Sequence, residues 1–131
     1  MQVRGIRWIG VGTTRVAAMR TFAIDVLGLR VDGEDRADFV ELAMADGAKL
    51  ELFGSDAVAD GPWMFAANPV VAGFLVDDIH AAREELSHVS DVELLGQLRV
   101  LPSGYAWQHF RAPDGLVYEL TADPSAGPSL A

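Results

Sequence analysis

Two glutamates occupy the same position in a short sequence motif that occurs twice in the chain. Residues 46–52 and 114–120 both fit D-G-x-x-x-E-L, which places Glu51 and Glu119 at equivalent positions. An Asp-Gly pair before a short apolar run is typical of a tight turn that leads into a strand, because glycine accepts the positive φ that such turns need. Side chains alternate along a strand, so each glutamate faces away from the leucines beside it. This repeated carboxylate is the strongest functional signal in the sequence.

A predicted strand in which aromatic and polar residues share one face precedes the second copy of the motif. One face of this strand carries four side chains, Tyr105, Trp107, His109 and Arg111. Histidine titrates near neutral pH, so His109 could shuttle a proton with Glu119 or Glu51 nearby. The alternative is that His109 hydrogen-bonds a buried carboxylate as an ordinary core residue. The candidate catalytic residues are His109, Glu119 and Glu51.

Tryptophans near these groups indicate what the site could hold. Trp8 and Trp107 could sandwich an aromatic or cationic ligand, because indole faces attract cations and stack on flat rings. The alternative for both is plain core packing. Buried carboxylates are costly unless a positive group compensates them, and the chain or a ligand must provide that group. The candidate ligand-binding residues are Trp8, Glu51, Trp107, His109, Arg111 and Glu119.

The apolar pattern around these residues predicts two units with the same order of elements. Residues 4–54 fit β-α-β-β-β, and residues 70–121 fit the same order again. Residues 55–69 are rich in Gly, Pro and Asp and predict a linker. We expect its aromatic segment, residues 63–65, to pack on the domain or to fold over a pocket. Residues 122–131 lack periodicity and predict a flexible tail.

Each unit carries the signals of one helix. Thr13 or Thr14 is predicted to cap the start of the first helix, and Gly28 is predicted to end it. Asp77 or Asp78 is predicted to cap the second helix. The spacing of apolar residues between these signals is helical, which places both helices directly after the first strand of their unit.

Two sequence shifts align the units with each other. A shift of 68 residues places Phe39 over Trp107, Glu41 over His109 and Glu51 over Glu119, whereas a shift of 63 places Gly10 over Gly73 and Trp8 over Val71. The chain is therefore expected to be an α+β protein with one domain, residues 1–121, built by duplication of a β-α-β-β-β module.

Three segments resemble, in the same order, sequence markers of the vicinal-oxygen-chelate superfamily of glyoxalases, bleomycin-resistance proteins and dioxygenases. Residues 22–29 (FAIDVLGL) resemble its helix end, residues 73–78 (GFLVDD) a strand and helix start, and residues 110–120 (FRAPDGLVYEL) its closing hairpin. The resemblance extends from about Trp8 to Thr121. It implies two tandem modules whose mixed sheet curls around a shared cleft, in a homodimer.

Metal-dependent members of this superfamily place ligands on the first and last strands of each module, commonly His or Gln on the first and Glu on the last. The matching positions in this chain are Trp8 and Val71 on the first strands, and Glu51 and Glu119 on the last. Trp and Val offer no lone pair to a divalent ion, which takes three or more protein ligands in a typical site. We therefore expect no cofactor. If a divalent metal is bound, its ligands are Glu51 and Glu119.

Composition limits the class of function further. The 131 residues contain 10 Lys and Arg against 19 Asp and Glu, a net charge of −9. This charge argues against nucleic acid as a partner and favours cationic or neutral small molecules. The absence of cysteine excludes disulfides and thiolate metal sites. No signal peptide and no apolar run of about 18 residues is present, so we expect a cytoplasmic protein without a membrane partner.

Two classes of function are consistent with these features. The first, which we favour, is a metal-free protein that binds a small aromatic or cationic molecule and resembles the bleomycin-resistance branch. The second is an enzyme, a lyase, isomerase or dioxygenase. It would depend on a metal through Glu51 and Glu119, or use metal-free acid/base chemistry through His109. The missing first-strand ligands argue against the metal-dependent version.

Overall fold

The computed structural model describes residues 1–57 and 60–127. The elements in these residues are β1 (Gly5–Gly12), α1 (Val16–Asp25), β2 (Arg30–Asp35), β3 (Phe39–Ala43), β4 (Lys49–Phe53), β5 (Val70–Leu75), α2 (Ile79–Ser87), β6 (Glu93–Val100), β7 (Ala106–Arg111), β8 (Val117–Ala122) and a short 3-10 helix (Pro124–Ala126). This is the β-α-β-β-β order found twice. Neither α-helix in this part of the chain has the length and apolar character needed to cross a bilayer.

The repeated D-G-x-x-x-E-L motif forms the same turn in both modules. Gly47 and Gly115 adopt φ angles of +88° and +81°, which favour glycine. The Asp46 carboxylate accepts a hydrogen bond from the backbone N–H two residues later, at 2.9 Å, and Asp114 does the same at 3.0 Å. The turns connect β3 to β4 and β7 to β8, so the two glutamates enter the sheet on equivalent strands.

The helix signals are partly confirmed. The Asp78 side chain caps α2 by accepting a hydrogen bond from the backbone N–H three residues later, at 3.0 Å. The prediction that Thr13 or Thr14 caps α1 is wrong, because Arg15 occupies that position and makes no side-chain cap. Thr13 instead accepts a hydrogen bond from the Arg15 backbone N–H, at 3.1 Å. Gly28 lies just beyond the end of α1 with a φ of +75°.

One open, mixed sheet joins both modules within the chain, in the order β2-β3-β4-β1-β5-β8-β7-β6. The antiparallel pairing of β1 with β5 forms the seam, and each of these strands is parallel to the last strand of its own module, β4 or β8. The predicted α+β fold class is confirmed. The two glutamate-bearing strands therefore flank the seam on either side.

The strand register confirms the correspondence between the modules. The paired positions that show it are Gly10 with Glu51, Gly73 with Glu119, Glu41 with Glu51, and His109 with Glu119. Each glutamate thus lies between a glycine on the module's first strand and a polar residue on its third. The polar residue differs between the modules, which has consequences for the site.

The two faces of the sheet have different roles. In module 1 the face under α1 is an apolar core of Val16, Ala23, Val40, Leu42, Leu50 and Leu52, and in module 2 the face under α2 is a core of Val76, Ile79, Ala82, Ala106, Phe110, Leu120 and Ala122. A third apolar group lies on the opposite face and contains Trp8, Phe53, Met64, Val71, Leu95 and Val117. Because side chains alternate along β4 and β8, the glutamates share this opposite face with the third group.

The first residues of the predicted tail, 122–131, belong to the fold. Ala122 ends β8, and Asp123 makes a 2.8 Å ion pair with the Arg7 guanidinium, both side chains being less than a tenth exposed. Arg7 also donates a 2.8 Å hydrogen bond to the Asp46 carbonyl oxygen. The boundary moves because a buried arginine on β1 needs these partners. The tail's last four residues lie outside the described part of the chain.

We predict that Asp123→Ala destabilises the protein by about 3 kcal/mol, because it leaves the buried Arg7 guanidinium without its anion. Asp35→Ala is the matched control, since it breaks an Arg-Asp pair with Arg20 whose side chains are 38% and 36% exposed. Solvent screens that pair, so its removal should change the free energy of unfolding little. Urea unfolding of the three proteins checks both values. Equal losses in the two variants would contradict the anchoring role of Asp123.

Candidate functional site

A cavity of about 290 Å³ lies on the face of the sheet opposite the helices, beside the seam between the modules. Aromatic, charged and apolar side chains from both modules line it: Trp8, Phe39, Glu41, Lys49, Glu51, Phe53, Asp60, Met64, Leu101, Tyr105, Trp107, His109 and Glu119. Its position follows from the fold, because the strands that carry the two glutamates flank the seam.

The structure brings five of the six predicted ligand-binding residues to this cavity, namely Trp8, Glu51, Trp107, His109 and Glu119. Arg111 is not among the residues that line it. It lies two residues beyond His109, roughly 7 Å further along β7. There its guanidinium donates a 3.3 Å hydrogen bond to the Gly115 carbonyl oxygen of the hairpin. Alternation along the strand thus places Arg111 on the correct face, but past the end of the cavity.

The segment between the modules forms one wall of the cavity. Met64 is buried and lines it, and the Trp63 ring lies 5.0 Å from the imidazole ring of His109. Phe65 packs on Phe53 with ring centroids 5.0 Å apart. Residues 58 and 59 of the predicted linker lie outside the described residues. The aromatic part of the linker therefore both packs on the domain and covers the site.

His109 lies between two carboxylates at the centre of module 2's half of the cavity. Its Nδ1 is 3.4 Å from Oδ2 of Asp60, and its Nε2 is 3.1 Å from Oε2 of Glu119, with a side chain 3% exposed. Burial alone lowers the pKa of His109, but the two carboxylates outweigh it and raise the pKa to about 9. At neutral pH the imidazole is a fixed cation. This geometry favours the compensating role over the proton shuttle.

Asp60 and Glu119 accept hydrogen bonds from other side chains, in addition to their ion pairs with the imidazole. Asp60 accepts a 2.7 Å hydrogen bond from the indole N–H of Trp107, and the pairing with His109 lowers the pKa of Asp60. Glu119 accepts a 2.7 Å hydrogen bond from the Thr121 hydroxyl. Burial raises the pKa of Glu119, and the imidazolium opposes this effect. Module 2 thus carries its own compensation for a deeply buried carboxyl group.

Glu51 has a different environment in module 1. Its Oε1 accepts a 2.8 Å hydrogen bond from the indole N–H of Trp8, but it forms no ion pair with any described residue. Its neighbour across β3 and β4 is another carboxyl group, that of Glu41. Burial first, and then Glu41, raise the pKa of Glu51 to about 8. Glu51 is therefore mostly protonated at pH 7. The nearest ion pair in module 1's part of the cavity joins Nζ of Lys49 to Oε2 of Glu41, at 3.9 Å.

A buried hydroxyl completes the polar lining. The Tyr105 hydroxyl is shielded from solvent and has no hydrogen-bond partner among the described residues. Burial raises its pKa, so the hydroxyl keeps its proton. The Lys49 ammonium lies 5.1 Å from the centre of the Tyr105 ring. An unpaired buried hydroxyl costs free energy, which a ligand or a water molecule in the cavity would recover.

Comparison with known structures identifies the architecture. The chain matches a glyoxalase/bleomycin resistance protein/dioxygenase superfamily member from Vibrio splendidus at 20% identity and a TM-score of 0.64, over 90% of this chain and 99% of that one. It matches an Mn(II)-bound glyoxalase from Novosphingobium aromaticivorans at 27% identity and a TM-score of 0.70, over 93% of this chain and 40% of that one. It matches methylmalonyl-CoA epimerase from Mycobacterium tuberculosis at 17% identity and a TM-score of 0.68, over 96% of this chain and 90% of that one.

The chain has the vicinal-oxygen-chelate fold. The resemblance seen in the three sequence segments is therefore confirmed at the level of the fold. No family sequence model and no functionally curated protein matches the chain. What the protein does must accordingly be argued from the cavity.

The residues present do not fit a divalent metal ion at the positions that the sequence resemblance implied. Trp8 and Val71 take the first-strand places, and the Trp8 indole lies over Gly10, where any Cβ atom would collide with it. Both last-strand carboxyl groups, Glu51 and Glu119, are already engaged by neighbouring side chains. The described residues contain no group of three or more His, Cys, Asp or Glu arranged to hold a metal ion.

Four polar residues that line the cavity were not among the predicted ligand-binding residues: Glu41, Lys49, Asp60 and Tyr105. Three of them had a signal in the sequence. Glu41 aligned with His109 in the duplication, and Tyr105 shared a face with Trp107. Lys49 shared a face with Glu51 and was a possible compensating cation for the glutamates. Asp60 had none, because the linker has no periodicity that would aim a side chain.

We predict that Glu51→Gln makes the protein more stable than the wild type at pH 9 and leaves it nearly unchanged at pH 4. A raised carboxyl pKa means that ionisation opposes folding, so wild-type stability falls as the pH rises from about 4.5 through 8. The difference at pH 9 should be up to about 5 kcal/mol, since the pKa rises from 4.5 to about 8 and one pKa unit corresponds to about 1.4 kcal/mol. Glutamine keeps an acceptor for the Trp8 indole. Thermal melts of both proteins across pH check this, and parallel curves would refute it.

Proposed function

We propose that this protein binds a small organic molecule in the cavity between its two modules and needs no metal ion to do so. The observation that carries the proposal is the cavity itself, an aromatic chamber of about 290 Å³ with a few buried polar groups pointing into it. Binding sites for small molecules have this character, being concave, mostly apolar and fitted with a few oriented polar groups.

The size and lining of the cavity limit the ligand. A volume of about 290 Å³ is at the small end of ligand pockets, which favours a molecule with one or two rings. Phe39, Phe53, Trp8 and Trp107 provide faces or edges of aromatic rings for a flat ligand. The Tyr105 hydroxyl offers a hydrogen bond to it. The ligand class is therefore an aromatic molecule with at least one polar substituent.

The charges in the cavity favour a cationic or neutral ligand over an anion. Four carboxyl groups line it, those of Glu41, Glu51, Asp60 and Glu119, against two cationic side chains, those of Lys49 and His109. Even without Glu51, which is mostly protonated at pH 7, three carboxyl groups stand against two cationic side chains. A bound anion would add to this excess in a partly desolvated space, where repulsion between like charges is costly. The overall charge of −9 acts in the same direction.

A second candidate is metal-free proton-transfer catalysis, with Glu51 rather than His109 as the base. The observation that favours it is the pKa of Glu51, about 8, since a catalytic base works best when its pKa is near the operating pH. His109 is less suited, because carboxylates hold it on both sides. The homodimer implied by the resemblance remains a prediction, and neither candidate depends on it.

We predict that Leu101→Trp weakens ligand binding at least about tenfold by narrowing the cavity. Leu101 lines the cavity and is 46% exposed, so a larger side chain there should cost little stability. Val100→Trp is the matched control, because Val100 is the neighbouring residue, is 55% exposed and does not line the cavity. A fragment library screened by ligand-observed NMR on chelator-treated protein would provide the ligands. The absence of binders, or equal loss in both variants, would refute the proposal.

The catalytic candidate is tested by placing the fragments that bind in D₂O with the chelator-treated protein and following their C–H signals by NMR. Catalysis predicts deuterium incorporation that stops in Glu51→Gln while binding persists. Exchange that continues in this variant would exclude Glu51 as the base. Binding without any exchange would leave the binding function and remove the catalytic one.

A further inference from the structure

The duplication places a different partner opposite the glutamate in each module. On β7, His109 lies opposite Glu119 and supplies it with a positive charge, 3.1 Å away. On β3, the position that corresponds to His109 is Glu41, which lies opposite Glu51. Module 1 therefore has a carboxyl group where module 2 has a cation. We call the Glu41–Glu51 pair of module 1 and the His109–Glu119 pair of module 2 the two half-sites, and both line the cavity.

The unequal half-sites leave one carboxyl group of the cavity without a cation. His109 lies near both Asp60 and Glu119, and Lys49 lies 3.9 Å from Glu41. Glu51 forms no ion pair with any described residue, and its polar contacts are the indole N–H of Trp8 and the carboxyl group of Glu41. The Tyr105 hydroxyl of module 2 has no hydrogen-bond partner among these residues and lines the same cavity. The cavity thus contains one carboxyl group without a cation, from module 1, and one hydroxyl without a partner, from module 2.

We propose that the ligand carries a protonated amine and that this amine gives Glu51 the positive charge that His109 gives Glu119. The inference deepens the proposed binding function and rests on it. An ammonium group next to Glu41 and Glu51 would allow both carboxylates to be ionised, and its three N–H donors could reach both of them and the Tyr105 hydroxyl. The aromatic part of the ligand would then lie against the rings that line the cavity.

Binding of such a ligand should release a proton. The titratable groups that share the cavity with Glu51 are Glu41, Lys49, Asp60, Tyr105, His109 and Glu119. Among them Glu41 favours the protonated form of Glu51. At pH 7 a group with a pKa of about 8 is about 90% protonated, so ionisation by a bound amine releases up to about 0.9 proton. Neither a neutral ligand nor a purely structural role for Glu51 gives this release.

The test uses matched probes that differ only in the polar group: tryptamine, tryptophol and indole-3-propionate, with the corresponding phenyl series. We expect the amines to bind the wild type about tenfold more tightly than the alcohols, and the carboxylates to bind least. Calorimetry at pH 7 in two buffers of different ionisation enthalpy measures the proton released by the amines. Alcohols or carboxylates that bind as tightly as the amines would overturn the inference while leaving the binding function intact. Failure of every probe and every library fragment to bind would refute both.

The decisive variant is Glu41→His, which gives module 1 the arrangement of module 2. We expect it to raise the melting temperature at pH 6 to 7, to remove the proton release and to reduce the amine-to-alcohol preference to about one. Glu93→His is the matched control, because Glu93 is exposed on β6 and outside the cavity. Glu51→Gln is a second variant that should also lose the preference, because it removes the carboxylate with which the amine pairs. Retention of the full preference in both Glu41→His and Glu51→Gln would overturn the inference.

Discussion

The antiparallel pairing of β1 with β5 is the interaction on which the rest of this molecule depends. It joins two copies of a β-α-β-β-β module into a single sheet and brings Glu51 and Glu119 to the two sides of one seam. Each module alone would expose the sheet face that now encloses the cavity. Glycine leaves room for neighbouring side chains at this seam, since a Cβ atom on Gly73 would lie 3.0 Å from Cβ of Trp8 on β1 and 2.6 Å from the Thr121 hydroxyl on β8. The seam therefore determines where the cavity lies and how closely the side chains beneath it can pack.

The second constraint is the cost of burying charge. Two equivalent carboxyl groups lie in the same apolar surroundings, yet the modules treat them differently. Burial raises the pKa of Glu119 but a neighbouring imidazolium opposes this effect, whereas burial and the adjacent Glu41 both raise the pKa of Glu51, to about 8. The difference of one residue, His109 against Glu41, converts a symmetric duplication into an asymmetric site. Asymmetry of this kind gives a ligand a single orientation.

The same comparison explains why the fold alone does not give the chemistry. The solved structures that share this fold include an Mn(II)-bound glyoxalase and a methylmalonyl-CoA epimerase. In this chain the first-strand positions carry an indole and an isopropyl group, and the Trp8 indole N–H binds Glu51. Folds are determined by the apolar pattern and the strand register, whereas activity depends on a few side chains that can be exchanged within that frame.

Much of the architecture could be predicted from the sequence, because it is encoded by local patterns. The repeated D-G-x-x-x-E-L motif predicted two hairpins and the face of the strand on which each glutamate lies. The helical spacing of apolar residues located both helices. The duplication also aligned Glu41 with His109 correctly. These features depend on φ preferences and on the periods of strands and helices, which act over a few residues. The start of α1 was misassigned, since two adjacent threonines offered equal capping signals and neither is used.

Only the tertiary structure decided the details of the site. Asp60 reaches His109 from a linker without periodicity, Arg111 falls beyond the cavity, and Asp123 is anchored by Arg7 where a free tail was expected. The partners of Asp60 and Asp123 are far away in the sequence, and the position of Arg111 relative to the cavity depends on how the sheet and the linker fold together. The sequence by itself identified Glu51, Glu119 and His109 as groups that could carry charge into the cleft. Whether each charge is compensated depended on distances that only the folded chain defines.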